Sequence, residues 1–327
     1  MIDGVDIFFV LSGFLIGGII LKELNKSEKF KPSDLVQFWK RRWFRTLPNY
    51  YLILLLNYFV VKYGIIDGEI DNFSFHFITF THNFTTPFYD FFWESWSLSI
   101  EEWFYIFTPI FIFILHKFLT IKTAFLVSII ILITLPLMYR FSIYNPEIDD
   151  FWWDVTFRKT VMCRLDSIGY GLLCSWIYYY YSNFWRSIKI PASILGLVLI
   201  TVITNYDSST NTIYKQTIYF SLIPFTAMLF IPIAESYKNG RGIISTFIQH
   251  ISKISYSMYL INLALVAQII EKNFTPNGGT DGLIKYLLYW LSVVLFSTLL
   301  YKYFEKPMMD LRDKKLVKLS LTKNKRY

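Results

Sequence analysis

Charge is scarce in this chain. Only 17% of its 327 residues are Asp, Glu, Lys or Arg, against about 25% in soluble domains. Hydrophobic residues make up 54% and aromatic residues 20%. So few charges cannot coat a globule of this size, which excludes an ordinary soluble fold. Cysteine is nearly absent. Cys163 and Cys174 are the two present, each inside an apolar block. This excludes a disulfide framework and a cysteine zinc site, and leaves two buried thiols. The four histidines, at 76, 82, 116 and 250, fall at loops or in a short apolar piece. None is placed as a base buried in a long apolar block. There is no phosphate-binding GxxxxGK[ST], no HExxH and no GxSxG. No metal and no bound cofactor is expected, and no internal repeat or low-complexity segment stands out.

What is present is length of apolar sequence. The hydrophobic residues come in blocks of about 20, enough to cross a bilayer as a helix. A membrane β-barrel would instead show alternating segments of about ten residues. The expected fold is all-α, a polytopic helical membrane protein. About nine spans are read, near 5–22, 46–62, 99–117, 122–140, 162–181, 188–205, 214–234, 254–271 and 283–304. A further apolar piece at 73–84 is short and carries His76, His82 and Asn83, so it reads as interfacial or re-entrant. The first block has no small-residue cleavage site, so it is not read as a signal peptide.

Net charge is +8. In a membrane protein such an excess reports basic cytoplasmic loops, so no nucleic-acid partner is expected. The basic connections follow spans one, three, five, seven and nine, and the acidic or neutral ones follow the even spans. That alternation places the C-terminus in the cytoplasm and the N-terminus outside. A segment of about four residues must then cross unaided, and an additional upstream helix would remove that difficulty. The division expected is one transmembrane domain over 1–305 and a basic cytoplasmic tail over 306–327. Membrane lipid is the first expected partner.

Polar residues within spans are costly and need a reason. Asp6 opens the first span, at the headgroup level or at a cavity mouth. Gly13 and Gly17 form a small-xxx-small pair, which serves close helix packing or close approach of a substrate. In WKRRWFRTLP, Arg41 and Arg45 are four apart and share a helix face, flanked by Arg42. They are topology anchors on anionic lipid, or a clamp for phosphates. In WSLSIEEWFY, adjacent Glu101 and Glu102 point about 100° apart, whereas Glu101 and Tyr105 share a face. Ser97 with Glu101, or Ser99 with Glu102, roughly fits a capping box. The other reading is a carboxylate that binds sugar hydroxyls or orients a base, framed by Trp93, Trp96 and Trp103. Arg164 and Asp166 are two apart, cannot pair well, and need partners elsewhere unless Arg164 snorkels outward. Ser255, Tyr256, Tyr259 and Asn262 put polar groups at the start of span eight, where hydrogen bonds between helices are the plain reading.

GVDIFFVLSGFLI, FWKRRWFRTLP, WSLSIEEWFY, RLDSIGYG, ISYSMYLIN and YFEKPM occur in this order from about Asp3 to Pro307. In this the chain resembles the acyltransferase-3 family of bacterial inner-membrane O-acyltransferases. The resemblance implies transfer of an acyl group, often acetyl, from acyl-CoA as co-substrate to a hydroxyl of an envelope glycan or glycolipid. Lipopolysaccharide and exopolysaccharide are common acceptors. It places Arg41, Arg42 and Arg45 at the donor. It places Glu101 near the acceptor as the catalytic candidate, with Asp6, Ser12, Gly13, Trp96, Ser97, Tyr105, Arg164, Asp166, Tyr259 and Asn262 lining the acceptor cavity. Two departures accompany it. The family's first helix, with Arg, ten residues and then a His that serves as the general base, is not in this chain. The resemblance therefore implies a ten-span protein and casts the chain as inactive without that helix. Asn262 also stands where the family has a histidine, and Asn cannot take a proton near neutral pH. The readings from another class are a glycolipid or polysaccharide transporter, or an inactive partner subunit. Neither would add mass to the sugar.

Overall fold

A computed structural model describes residues 3–25, 32–87, 91–206, 209–237, 240, 242–275 and 278–312. Most of the basic tail expected over 306–327 lies outside the described residues. The architecture is all-helical, with no strand among the described residues. Among the described residues nine long helices follow one another: α1 (Gly4–Leu24), α2 (Pro32–Lys62), α3 (Ser95–Leu115), α4 (Ile121–Ser142), α5 (Val161–Tyr180), α6 (Ser182–Asn205), α7 (Tyr214–Glu235), α8 (Ile243–Asn273) and α9 (Gly279–Arg312). Each expected span falls on one of them.

By length and composition seven of the described helices can cross a membrane. The other two, α2 and α5, carry the polar motifs WKRRWFRTLPN and CRLDSIGYG along their length. The protein is a multi-pass membrane protein. In hydrocarbon every backbone group must be satisfied within the segment, so uniformly apolar blocks become rods. The short piece at 73–84 holds only a one-turn helix, Phe75–Ile78, followed by turns. The helices begin where local chemistry allows. Asp3 Oδ1 accepts from Val5 N at 3.2 Å at the start of α1, and Thr120 Oγ1 accepts from Thr123 N at 3.3 Å at the start of α4.

The chain divides into two compact units. One comprises Met1–Leu35, Thr79–Tyr89 and Trp96–Lys238, and so holds α1 and α4–α7 with nearly all of α3. The other comprises Val36–Ile78, Asp90–Ser95 and Asn239–Tyr327, with most of α2 and all of α8 and α9. In the first unit α1 lies on α5 with the backbones almost touching. A Cβ on Gly13 would overlap the Ile168 carbonyl oxygen, one on Gly171 that of Val10, and one on Gly17 the Ser175 hydroxyl. Gly13 and Gly17 therefore serve helix packing. Cys163 and Cys174 are buried free thiols in the same helix, α5.

This seam makes a prediction. Gly13→Ala is expected to destabilise the protein by about 1–3 kcal/mol, because neither backbone can give way without parting the helices. Gly18→Ala is the control. Its Cβ meets nothing within 4 Å, so the protein should be unchanged, or steadier by up to about 1 kcal/mol. Melting of the two variants in detergent micelles reads the difference, and equal melting would argue against the α1–α5 contact.

Candidate functional site

In the first unit the polar residues of the apolar helices meet around the N-terminal end of α1. Asp6 is 5% exposed and pairs with Arg164, which is 2% exposed, so Arg164 does not snorkel to an interface. The Arg164 guanidinium also lies 4.6 Å from the Phe220 ring centre. Asp166 turns to a different partner. Its Oδ2 accepts from Arg140 Nη2 at 2.8 Å and from Ser221 Oγ at 2.7 Å. Arg140 Nη2 also donates to Ser221 Oγ at 2.6 Å, and Nη1 donates to the Cys163 carbonyl. Two residues of one motif, unable to pair with each other, thus anchor two separate buried ion pairs.

Closer to the end of α1, Arg158 bridges Asp3 and Asp154, and Lys159 Nζ lies 2.5 Å from Asp154 Oδ2. Burial raises the Asp154 carboxyl. The hydrogen bonds and charges of Lys159 and Arg158 outweigh it and hold the group below its ordinary value. Arg158 lies 5.5 Å from the Trp96 ring centre, and Trp96 stands edge-on to Phe9 at 6.1 Å.

Deeper along α1, Ser12 Oγ is 3.2 Å from Tyr105 Oη, which donates to Glu101 Oε2 at 3.2 Å. The i, i+4 pairing expected of Glu101 and Tyr105 is therefore realised, and α1 joins it. The helix α3 starts at Ser95, so Ser97 and Ser99 lie inside it and neither acts as an N-cap. Ser97 is buried, and Ser99 Oγ approaches Nε2 of buried His82 at 3.4 Å.

The second unit holds the arginines. Arg41 and Arg45 are exposed on α2, and Arg42 is half-buried with its guanidinium 6.0 Å from the Phe38 ring centre. One turn beyond Arg45, Asn49 Nδ2 donates to Glu305 Oε2 at 3.0 Å, and Ser257 Oγ donates to the same oxygen at 2.6 Å. Further along α9, Arg312 Nη1 donates to the Arg41 carbonyl at 3.2 Å. The contacts advance from Asn49 to Arg41 on α2 as they advance from Glu305 to Arg312 on α9. The two helices therefore run antiparallel there, and Arg312 adds a fourth guanidinium to the stretch.

Tyr259 and Asn262 also lie in the second unit. There α8 opens into a wider π-helical turn over Asn262–Ala267. The released N–H groups of Leu263 and Ala264 donate to Glu94 Oε1 at 2.9 and 2.7 Å, and Leu263 N also donates to Asn262 Oδ1 at 2.8 Å. Tyr259 Oη donates to the Glu94 carbonyl at 3.2 Å. Arg140, Arg158, Glu94, Lys215 and Glu305 were not singled out by sequence. The signal available was their charge inside, or at the edge of, an apolar block.

The family model described as an acyltransferase domain matches residues 4–302. The chain belongs to the acyltransferase-3 family. Among relatives, this acyltransferase-3 chain is 26% identical to the O-acetyltransferase OatA of Staphylococcus aureus strain NCTC 8325 / PS 47, over 93% of this chain and 52% of that protein. The same figures hold for OatA of Staphylococcus aureus strain COL. The chain thus spans about half the length of the curated relatives it matches. No solved structure matches it.

Proposed function

We propose that this chain is the membrane part of an O-acyltransferase that moves an acyl group, acetyl in the first instance, from acyl-CoA to a hydroxyl of an envelope glycan. One observation carries the reading. The acyltransferase match over 4–302 takes in every site residue expected from sequence, from Asp6 to Asn262. Residues 1–305 form the transferase domain of the cytoplasmic membrane, and 306–327 a basic tail on its cytoplasmic side. The arginines of α2 hold the donor phosphates there. The cluster around Asp6, Trp96, Glu101 and Arg164 faces the acceptor.

In the reaction the sugar oxygen forms the new ester bond, the thioester C–S bond breaks, and the hydroxyl proton passes to a base. Glu101, steadied by Tyr105 and Ser12, orients that hydroxyl. The test is transfer of label from [acetyl-14C]acetyl-CoA to glycan in membranes that carry the chain at its native length. Ester-linked label, released by mild alkali and absent from membranes lacking the gene, is the expected result. Glycan that crosses the membrane without gaining acetate would put a transporter in its place, and no label at all an inactive partner.

A further inference from the structure

Among the buried cations of the first unit, one stands apart. Arg140, Arg158, Lys159 and Arg164 each hold an aspartate. Lys215, in the first turn of α7, is 8% exposed and holds none among the described residues. Its Nζ lies 3.6 Å from the Tyr219 ring centre and 5.3 Å from that of Trp153. Trp153 Nε1 donates to the Lys215 carbonyl at 3.3 Å, which ties the two walls together. The acid that acts on Lys215 through its charge, Asp150, is engaged by Thr210 Oγ1 at 2.7 Å.

Asp150 reaches this ammonium through its field but forms no ion pair with it, and the aromatic faces add only a modest attraction. Two further features mark the place. Lys215 sits in a π-helical turn, Tyr214–Ile218, a distortion that recurs at functional positions. The one-turn helix that supplies Trp153 also presents Phe151 at 60% and Trp152 at 51% exposure, broad ring faces of the kind on which sugars stack.

We propose that Lys215 receives the anionic group of the acyl acceptor, a glycan that carries a carboxylate or a phosphate. The inference rests on the reading of the chain as a glycan O-acyltransferase and names its substrate class. A neutral glycan would leave the ammonium with the field of Asp150 alone. An anionic one forms the direct ion pair that Lys215 lacks among the described residues, while its ring lies against exposed Trp152.

Binding to the full chain in lipid nanodiscs tests this without any turnover. The probes are trigalacturonic acid against its methyl ester, and mannose 6-phosphate against mannose. At least one charged probe should bind about tenfold more tightly than its neutral partner, as a charge-assisted contact implies. Lys215→Met should remove that preference and Lys215→Arg should keep it. In the wild type the preference should shrink as salt is raised, a readout that does not depend on the variants folding. Equal binding within both pairs overturns the proposal, as does a preference that survives in Lys215→Met. Anionic preference without acetyl transfer to any glycan would sink the transferase reading and leave the anion site standing. Acetyl transfer to neutral glycans alone would do the reverse.

Discussion

Arg140→Leu is expected to cost about 3–5 kcal/mol, the range seen when one partner of a buried ion pair is removed. Arg140 and Asp166 are both fully buried. The guanidinium reaches the Asp166 carboxylate, the Ser221 hydroxyl and the Cys163 carbonyl, so it joins α4, α5 and α7. Leucine leaves the Asp166 carboxylate with the Ser221 hydroxyl as its hydrogen-bond partner among the described residues, in an apolar surround. Domains are stable by roughly 5–15 kcal/mol, so a large part of the margin goes at once. The double variant Arg140→Leu/Asp166→Leu should recover most of the loss, because replacing both charges removes the uncompensated one. Monodisperse yield and melting temperature in detergent read both variants. A single variant as stable as the wild type, or a double variant no better than the single, would show that the pair does not stabilise the protein. Activity should separate from stability here. Arg140 meets other side chains and the backbone, and a double variant that is stable but slow would give the network a part in holding the acceptor site.

How far the sequence reveals this protein depends on the range of the interaction. The nine helices were legible because each apolar block is about as long as a bilayer is thick. Helix starts were less so. The helix α2 begins at Pro32, well before the apolar block at 46, because WKRRWFR is helical without being apolar. The helix α8 begins at Ile243, eleven residues ahead of the block expected from 254. Pairings within one helix were legible too, as with Glu101 and Tyr105. Partners on other helices were not. The need of Arg164 and Asp166 for partners could be read, but not that Asp6 and Arg140 meet it from 158 and 26 residues away. Glu94 was hidden for a different reason. Its role is to satisfy N–H groups that exist only because α8 opens at Asn262, about 170 residues away. Four described π-helical turns, at Asp154–Arg158, Tyr214–Ile218, Asn262–Ala267 and Tyr301–Glu305, carry Arg158, Lys215, Asn262 and Glu305. Each such turn departs from the regular ladder of hydrogen bonds, and hydropathy cannot foretell where it falls.

Arg41→Lys/Arg45→Lys is expected to raise the KM for acetyl-CoA about a hundredfold, with protein abundance unchanged. Two roles compete for these side chains, and this variant separates them. A topology anchor needs positive charge beside the membrane, which lysine supplies equally well. A phosphate clamp needs the planar fork, with two parallel N–H donors per guanidinium, which lysine lacks. Arg41 and Arg45 are exposed on one face of α2, and α9 lies antiparallel beside them through Asn49, Glu305 and Arg312. The face is therefore held in place, so a donor that binds there meets an ordered pair of forks. A charge-assisted hydrogen bond contributes roughly 1.5–3 kcal/mol, so weakening two accounts for about a hundredfold. Loss of the donor site should leave the dependence on glycan concentration as it was. If abundance and the KM both hold, lysine serves as well as arginine, and the side chains are anchors.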